Sequence, residues 1–220
     1  MREPDHVFRD ESRWPPALAI LAVMLLLAAL PGHIFVLPIW ASYLAGLVVL
    51  ASMAASRLAR GSARWVRMER AIIVLLAALY VANTIAELLD MLGVVALHPT
   101  GRNAFSLLSS SIAIWIANVL AFSLLYWQVD GGGPRARATG EGSEPDWLFA
   151  QPPAPEDRPA PWRPLFLDYL FLGYNTATAF SPCDVSPLTR RAKVLMMVES
   201  MVSLLTTVIV LSRAINAMPS

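Results

Sequence analysis

The chain has 220 residues, 56% of them apolar and only 15% charged, with a mean hydropathy of +0.55. Soluble domains run near roughly 45–50% apolar and about 25% charged, so the composition argues against a soluble protein and points to an integral membrane protein. The single cysteine, Cys183, excludes a disulfide scaffold, and a net charge of +1 without a segregated basic patch argues against a nucleic-acid partner.

Four apolar stretches precede residue 130, and a helix needs about 20 residues to cross a bilayer core. Ala17 to Leu30 is uninterrupted but short, so the predicted first span borrows Trp14, Pro15 and Pro16 at one end and Pro31 to Phe35 at the other. Trp14 then falls at the interface, where indoles are favoured. The preceding tail holds Glu3, Asp5, Asp10 and Glu11 and no clean A-x-A site follows, so a retained helix is expected rather than a cleaved signal peptide. Leu37 to Ser56 is a full-length span, and Ala71 to about Val95 opens directly after Arg70. Phe105 to Trp127 is the fourth, with Tyr126-Trp127 expected as an interfacial anchor.

Basic residues orient these spans. Arg2, Arg9 and Arg13 precede the first; Arg57, Arg60, Arg64, Arg67 and Arg70 lie between the second and third; Arg135, Arg137, Arg158 and Arg163 follow the fourth. Only Arg102 lies on the opposite side, a vote of twelve against one for a cytoplasmic N-terminus. Lys193 is the one lysine among 17 basic residues, and this arginine bias with abundant alanine suggests a GC-rich bacterial genome, hence a multi-pass protein of the bacterial cytoplasmic membrane.

Residues 129–164 differ in composition. They open on Gly131-Gly132-Gly133-Pro134 and hold eight prolines, a density of glycine, proline and charge that buries too little apolar surface to offset ordering. The segment is expected to be a mostly irregular cytoplasmic linker, with Trp147-Leu148-Phe149 and Trp162 touching headgroups or helix ends.

The last third carries the informative pattern. Leu165 to Pro182 starts aromatic and apolar, turns Thr/Ala/Asn-rich and ends at proline, only just long enough to span. Cys183-Asp184-Val185-Ser186-Pro187-Leu188-Thr189-Arg190-Arg191 follows as a loop, and Ala192 to Leu211 is a strongly apolar final helix. This order resembles the pore module of the tetrameric potassium-channel superfamily over roughly residues 164–215, with Asp184-Val185-Ser186-Pro187 similar to the D-x-x-P that follows that family's filter. Glu199 falls where many bacterial members have a glutamate. The whole chain also resembles an uncharacterised family of small actinobacterial membrane proteins in which YLFLxxxxATAFSPxD-like and RRAKxLMM-like segments recur; that resemblance implies no known activity.

The departures from the channel pattern set the expectation. Potassium filters need glycines whose backbone angles aim carbonyls at the ion, whereas Ala179-Phe180-Ser181-Pro182-Cys183 holds none. A permeation path here is expected to be weakly selective and lined by Thr176, Thr178 and Ser181 hydroxyls with Asp184 at one mouth. If residues 165–182 dip and return, the basic count becomes fifteen against two; if they span, thirteen against four. Both arrangements stay open on this count. A dip needs protein around it, which a homo-oligomer, a tetramer by the resemblance, would supply.

Four acidic residues fall within apolar segments: Glu87, Asp90, Asp168 and Glu199. Glu87 and Asp90 share a face at i, i+3 and lie near the outer end of their span. Asp168, one turn into the half-helix, complements the helix dipole. Glu199 needs a partner in Arg190, Arg191 or a hydroxyl, or a proton, because an unpartnered acid at mid-helix costs about 2.5–3.5 kcal/mol. His6, His33 and His98 have no metal-ligand spacing, no G-x-S-x-G or G-K-[ST] motif occurs, and neither catalytic residues nor a cofactor are expected.

The sequence therefore predicts an all-α membrane protein: a tail at 1–14, four transmembrane helices within 15–128, the linker at 129–164, and a pore-helix-like short helix with a final transmembrane helix at 165–215. The functional expectation is an oligomeric, weakly selective path for monovalent cations in the lipid bilayer; the alternative is a non-conducting membrane protein with a structural or partner-binding role.

Overall fold

The structure is a computed structural model, and it describes residues 14–29, 46–48, 51, 63–97, 104–140, 142–150, 162–179 and 184–216. The elements are α1 (Trp14–Ala29), α2 (Ala63–Leu97), α3 (Ala104–Val129), a 3-10 turn (Asp130–Gly132), α4 (Pro134–Thr139), β1 (Trp147–Phe149), α5 (Phe166–Ala179), β2 (Val185–Pro187) and α6 (Arg190–Asn216). Among the described residues, Ser111–Thr139 and Arg190–Ile209 are long and apolar enough to cross a membrane, and Trp14–Leu26 and Arg70–Ala86 are shorter apolar helices.

α3 is the central helix and packs against α1, α2, α5 and α6. Every residue from Ala121 to Gln128 is buried, as expected of a helix surrounded on all sides. Ile20 and Val23 of α1, Ile73, Leu76 and Ala77 of α2, Phe166, Tyr169 and Leu172 of α5, and Ala192 and Met196 of α6 close the main core around it. Leu88, Ile114, Val202 and Ile209 form a second cluster nearer the other end.

Three sequence expectations change here. Tyr126 and Trp127, expected at an interface, are fully buried, because the chain beyond α3 folds back and covers them. Much of the expected linker is ordered: α3 gives way to the 3-10 turn, then α4 and β1. Gly131, Gly132 and Gly133 all take positive φ, at 55°, 90° and 98°, a run that glycine adopts without steric penalty. Pro134 then opens α4 and Gly140 ends it in the left-handed conformation. Finally, the fold is mostly helical but not all-α: β1 and β2 pair antiparallel, with Trp147 opposite Pro187 and Phe149 opposite Val185.

The predicted spans compare element by element. The fourth is α3, and the final span is α6. α2 continues the third span backwards to Ala63, through the Arg64, Arg67 and Arg70 stretch, for 35 residues in all. The second span, 37–56, lies largely outside the described residues; of it, Leu47 and Val48 are helical and exposed.

α5 approaches α3 at Gly173. A Cβ built there would lie 2.6 Å from Ser123 Oγ, 3.2 Å from the Val119 carbonyl oxygen and 3.3 Å from Glu199 Oε1. Small residues at a helix crossing allow this approach in membrane proteins. The Val119 carbonyl belongs to helix backbone and cannot step aside. Gly173→Ala is therefore expected to destabilise the protein by about 1–3 kcal/mol, read as a lowered thermal unfolding midpoint in detergent. Ala177→Gly, on the same helix without that contact, is the control and loses only about 1 kcal/mol of helix propensity plus its small packing share.

Candidate functional site

Two buried aspartates organise the end of the molecule where α3 stops. Asp130 Oδ1 accepts hydrogen bonds from the backbone N–H of Asp146 at 2.6 Å and of Trp147 at 3.4 Å, and its Oδ2 accepts from the Tyr169 hydroxyl at 2.5 Å. Asp146 receives Arg191 on both oxygens, Nε to Oδ1 at 2.5 Å and Nη2 to Oδ2 at 2.6 Å, while Thr189 Oγ1 donates to Oδ1. The Asp146 side chain is fully buried and that of Arg191 half exposed. Thr189 also caps α6, its hydroxyl accepting from the Ala192 N–H at 3.2 Å. Arg137 donates to the Trp127 and Asp130 carbonyls at the end of α3 and lies 5.0 Å from the Tyr169 ring centre.

These bonds fix where α5 and α6 begin. Phe166, at the start of α5, packs edge-on against Trp127 with ring centres 5.9 Å apart, and Tyr174, eight residues on, meets Trp115 at 6.0 Å. α5 thus runs antiparallel to α3. α6 does so too, with Arg191 bound beside the end of α3, Glu199 bonded to Tyr126 and Ser203 to Asn118. Both helices start at the same end of α3. α5 has 14 residues, about 21 Å at 1.5 Å per residue. Asp184 lies beside the end of β1, its carbonyl accepting from the Ala150 N–H at 2.9 Å.

The sequence-predicted residues distribute unevenly over this geometry. Thr176 is buried between helices; its hydroxyl donates to the Leu172 carbonyl and its own carbonyl accepts from Ser200 Oγ at 3.5 Å. Thr178, two residues on, faces away and is exposed, with its hydroxyl bonded to the Tyr174 carbonyl. Asp184 is exposed. Ser181 and Cys183 lie outside the described residues, as do the side chains of Glu87 and Asp90. Asp168 serves the helix start: its Oδ2 accepts from the Leu165 N–H at 2.7 Å, in the manner of a capping box. It also stands at the rim of an apolar cleft of about 630 Å³ lined by Trp115, Ile116, Leu120, Phe171 and Tyr174.

Glu199 is fully buried. Its Oε2 accepts from the Tyr126 hydroxyl, so among the partners foreseen for it a hydroxyl holds the place, and Arg191 is taken by Asp146. Asn118, on α3, donates to Ser203 Oγ at 2.9 Å and to the Glu199 carbonyl at 3.4 Å. Glu199 Oε1 and Asn118 Oδ1 are buried without a hydrogen-bond partner. Sequence reasoning missed Asp130, Asp146, Tyr169 and Asn118. Asn118 alone carried a signal, as the one amide in the apolar run from Phe105 to Tyr126. Among the described residues no group of three or more His, Cys, Asp or Glu side chains converges as a metal site. No family model, no curated protein and no solved structure matches the chain.

The Arg191–Asp146 pair has an asymmetric energetic consequence. Removing the cation leaves a buried carboxylate with Thr189 as its remaining side-chain donor, and the half-exposed position of Arg191 reduces the effect below that of a fully buried pair. Arg191→Ala is expected to cost about 2–3 kcal/mol, and Arg191→Lys, which keeps the charge but not the fork, about 1 kcal/mol. Chemical denaturation in detergent checks the order; equal losses in the two variants would exclude the bidentate geometry as the source.

Proposed function

We propose that this is a multi-pass protein of the bacterial cytoplasmic membrane in which α5 and the segment after it form a re-entrant hairpin, and that several copies assemble these hairpins around a weakly selective path for monovalent cations. The common starting end of α5 and α6 carries the reading: a helix of only 14 residues, followed by a helix that sets out again from the same end of α3, supports a dip over a crossing. The arginine distribution agrees, since a dip puts fifteen basic residues on the cytoplasmic side against two on the other. Four spans precede the hairpin in this reading, with the N-terminus cytoplasmic.

The surface left open by the fold supports assembly. Val194, Met197, Met201, Leu204, Val208 and Leu211 are all exposed on α6, and their 3-4-3-4-3 spacing is the seam of helices that pack at a 3.5-residue period. Backbone outside a helix is tolerated at membrane depth only when shielded or lining water, and neighbouring copies provide the shield. Thr178 and Ser181 line the path and Asp184 stands at its cytoplasmic mouth. Thr176 acts within the chain by tying α5 to α6. That engagement of Thr176, with the seating of Asp184 on Ala150, is also what a non-conducting packing or partner-binding role would use, and it is the specific observation in favour of that second reading.

Purified protein in proteoliposomes is expected to pass potassium and sodium at comparable rates, and a thiol reagent on Cys183 is expected to block the flux. Asp184→Asn should lower cation conductance severalfold at low salt without changing expression, because a mouth carboxylate concentrates cations over about a Debye length. Folded protein that is monomeric, or oligomeric but silent to both ions, would leave the packing role in its place.

A further inference from the structure

The centre between α3, α5 and α6 has an excess of oxygen acceptors. Glu199 Oε1 and Asn118 Oδ1 both lack a donor although their residues are fully or almost fully buried. Oε1 shares the space beside Gly173 with Ser123 Oγ, which already donates to the Val119 carbonyl at 2.6 Å, and with that carbonyl. Asn118 has spent its amide hydrogens on Ser203 and on the Glu199 carbonyl. Buried polar atoms in native proteins are almost always paired, and a half-satisfied polar cluster in a low-dielectric interior is costly. A positive or hydrogen-donating guest would satisfy either oxygen.

The charge around it narrows the guest. Tyr126 is the one titratable residue within α3, and it faces Glu199. On α5, Asp168 caps its own helix. On α6, Arg191 is held by Asp146, and Arg190 and Lys193 are exposed at the helix start. On α2, Arg70 lies against the Gly132–Gly133 turn, and the side chains of Glu87 and Asp90 are outside the described residues. The described centre therefore offers one carboxylate and neutral oxygens from an amide, hydroxyls and a backbone carbonyl, with no thiol or imidazole among the described residues. Such a set suits a hard cation, and one formal negative charge balances one positive charge.

We propose that Glu199, with Asn118, forms a buried binding site for a single monovalent hard cation, Na⁺ or a proton, behind the re-entrant helix. Oε1 and Asn118 Oδ1 are the two unpaired acceptors; Ser203 is bonded to Asn118, and Ser123 and the Val119 carbonyl stand with Oε1 beside Gly173. Occupancy ties α6 to α3 and α5 at the level of Gly173, so the site stabilises the three-helix unit. It does not depend on ion permeation, and a non-conducting protein would hold it equally.

The test is the thermal midpoint of purified full-length protein in detergent. It is followed against NaCl replaced by choline chloride at constant ionic strength and pH 8, and separately against pH in choline alone. A ligand that binds only the folded state raises the midpoint with concentration, by about 5–10 °C at a hundredfold excess over its dissociation constant for a chain of this size. A saturable rise with Na⁺ identifies the metal ion, and a rise only as pH falls identifies the proton. In both cases Glu199→Gln, which has no charge, should lose the response. A parent midpoint flat to both cations, the result expected if a water alone fills the centre, overturns the proposal, as does a Glu199→Gln response equal to the parent's. Should Glu199→Gln fail to fold, Asn118→Leu decides: loss of Oδ1 should shift the saturation midpoint at least tenfold, and a parent-like midpoint overturns the site.

Discussion

The arrangement of the molecule depends on two carboxylates that sit where α3 ends. Asp130 and Asp146 are both buried, and burying charge is tolerable only when each oxygen is engaged. Asp130 reaches back to Tyr169 of α5 and forward to the backbone that opens β1. Asp146 reaches across to Thr189 and Arg191 at the start of α6. Because one set of bonds holds three helix ends together, the direction in which α5 and α6 leave that end is not a free choice. β1 and β2 reinforce it by pairing the two strands that lead away from α3 and into α6.

That constraint is what the proposed re-entrant helix would depend on. A 14-residue helix cannot satisfy a bilayer by length, and its C-terminal carbonyls need partners that lipid does not provide. Close approach to α3 at Gly173 and the Ser200–Thr176 bond to α6 place its middle against protein rather than lipid. The polar residues that face this contact, Ser123, Asn118, Thr176, Glu199 and Ser203, are all at or below 1% exposure, so the interior here is a polar seam between helices and not a hydrocarbon core.

The sequence made the helices legible because apolar length and a terminal proline are local signals. Phe105 to Trp127 and Ala192 to Leu211 became α3 and α6 with small boundary changes, and Leu165 to Pro182 became α5 ending at Ala179. The clamp was not legible. Asp130 and Asp146 sit among glycine, proline and charge, a composition that describes linkers equally well, and each finds its partner from 16 to 45 residues away. β1 is three residues long and its partner lies some 40 positions on, so no alternation pattern could announce it. Tyr126 read as an interfacial aromatic because periodicity locates the end of an apolar run but not what later folds over that end.

The same limit applies to the candidate site. Glu199 stood out because an acid inside an apolar helix is expensive, and the need for a partner followed from that cost alone. Which partner could not follow, since Arg190 and Arg191 were nearer in sequence than any hydroxyl. In the fold Asp146 takes Arg191 with two parallel bonds at the helix end, and Glu199, two turns further along, bonds to Tyr126. With the arginine taken, Glu199 is left with one hydroxyl donor and one vacant oxygen. The clamp that fixes the helix directions thus also takes Arg191 away from the interior carboxyl, which among the described residues is met by a hydroxyl and by no cationic side chain.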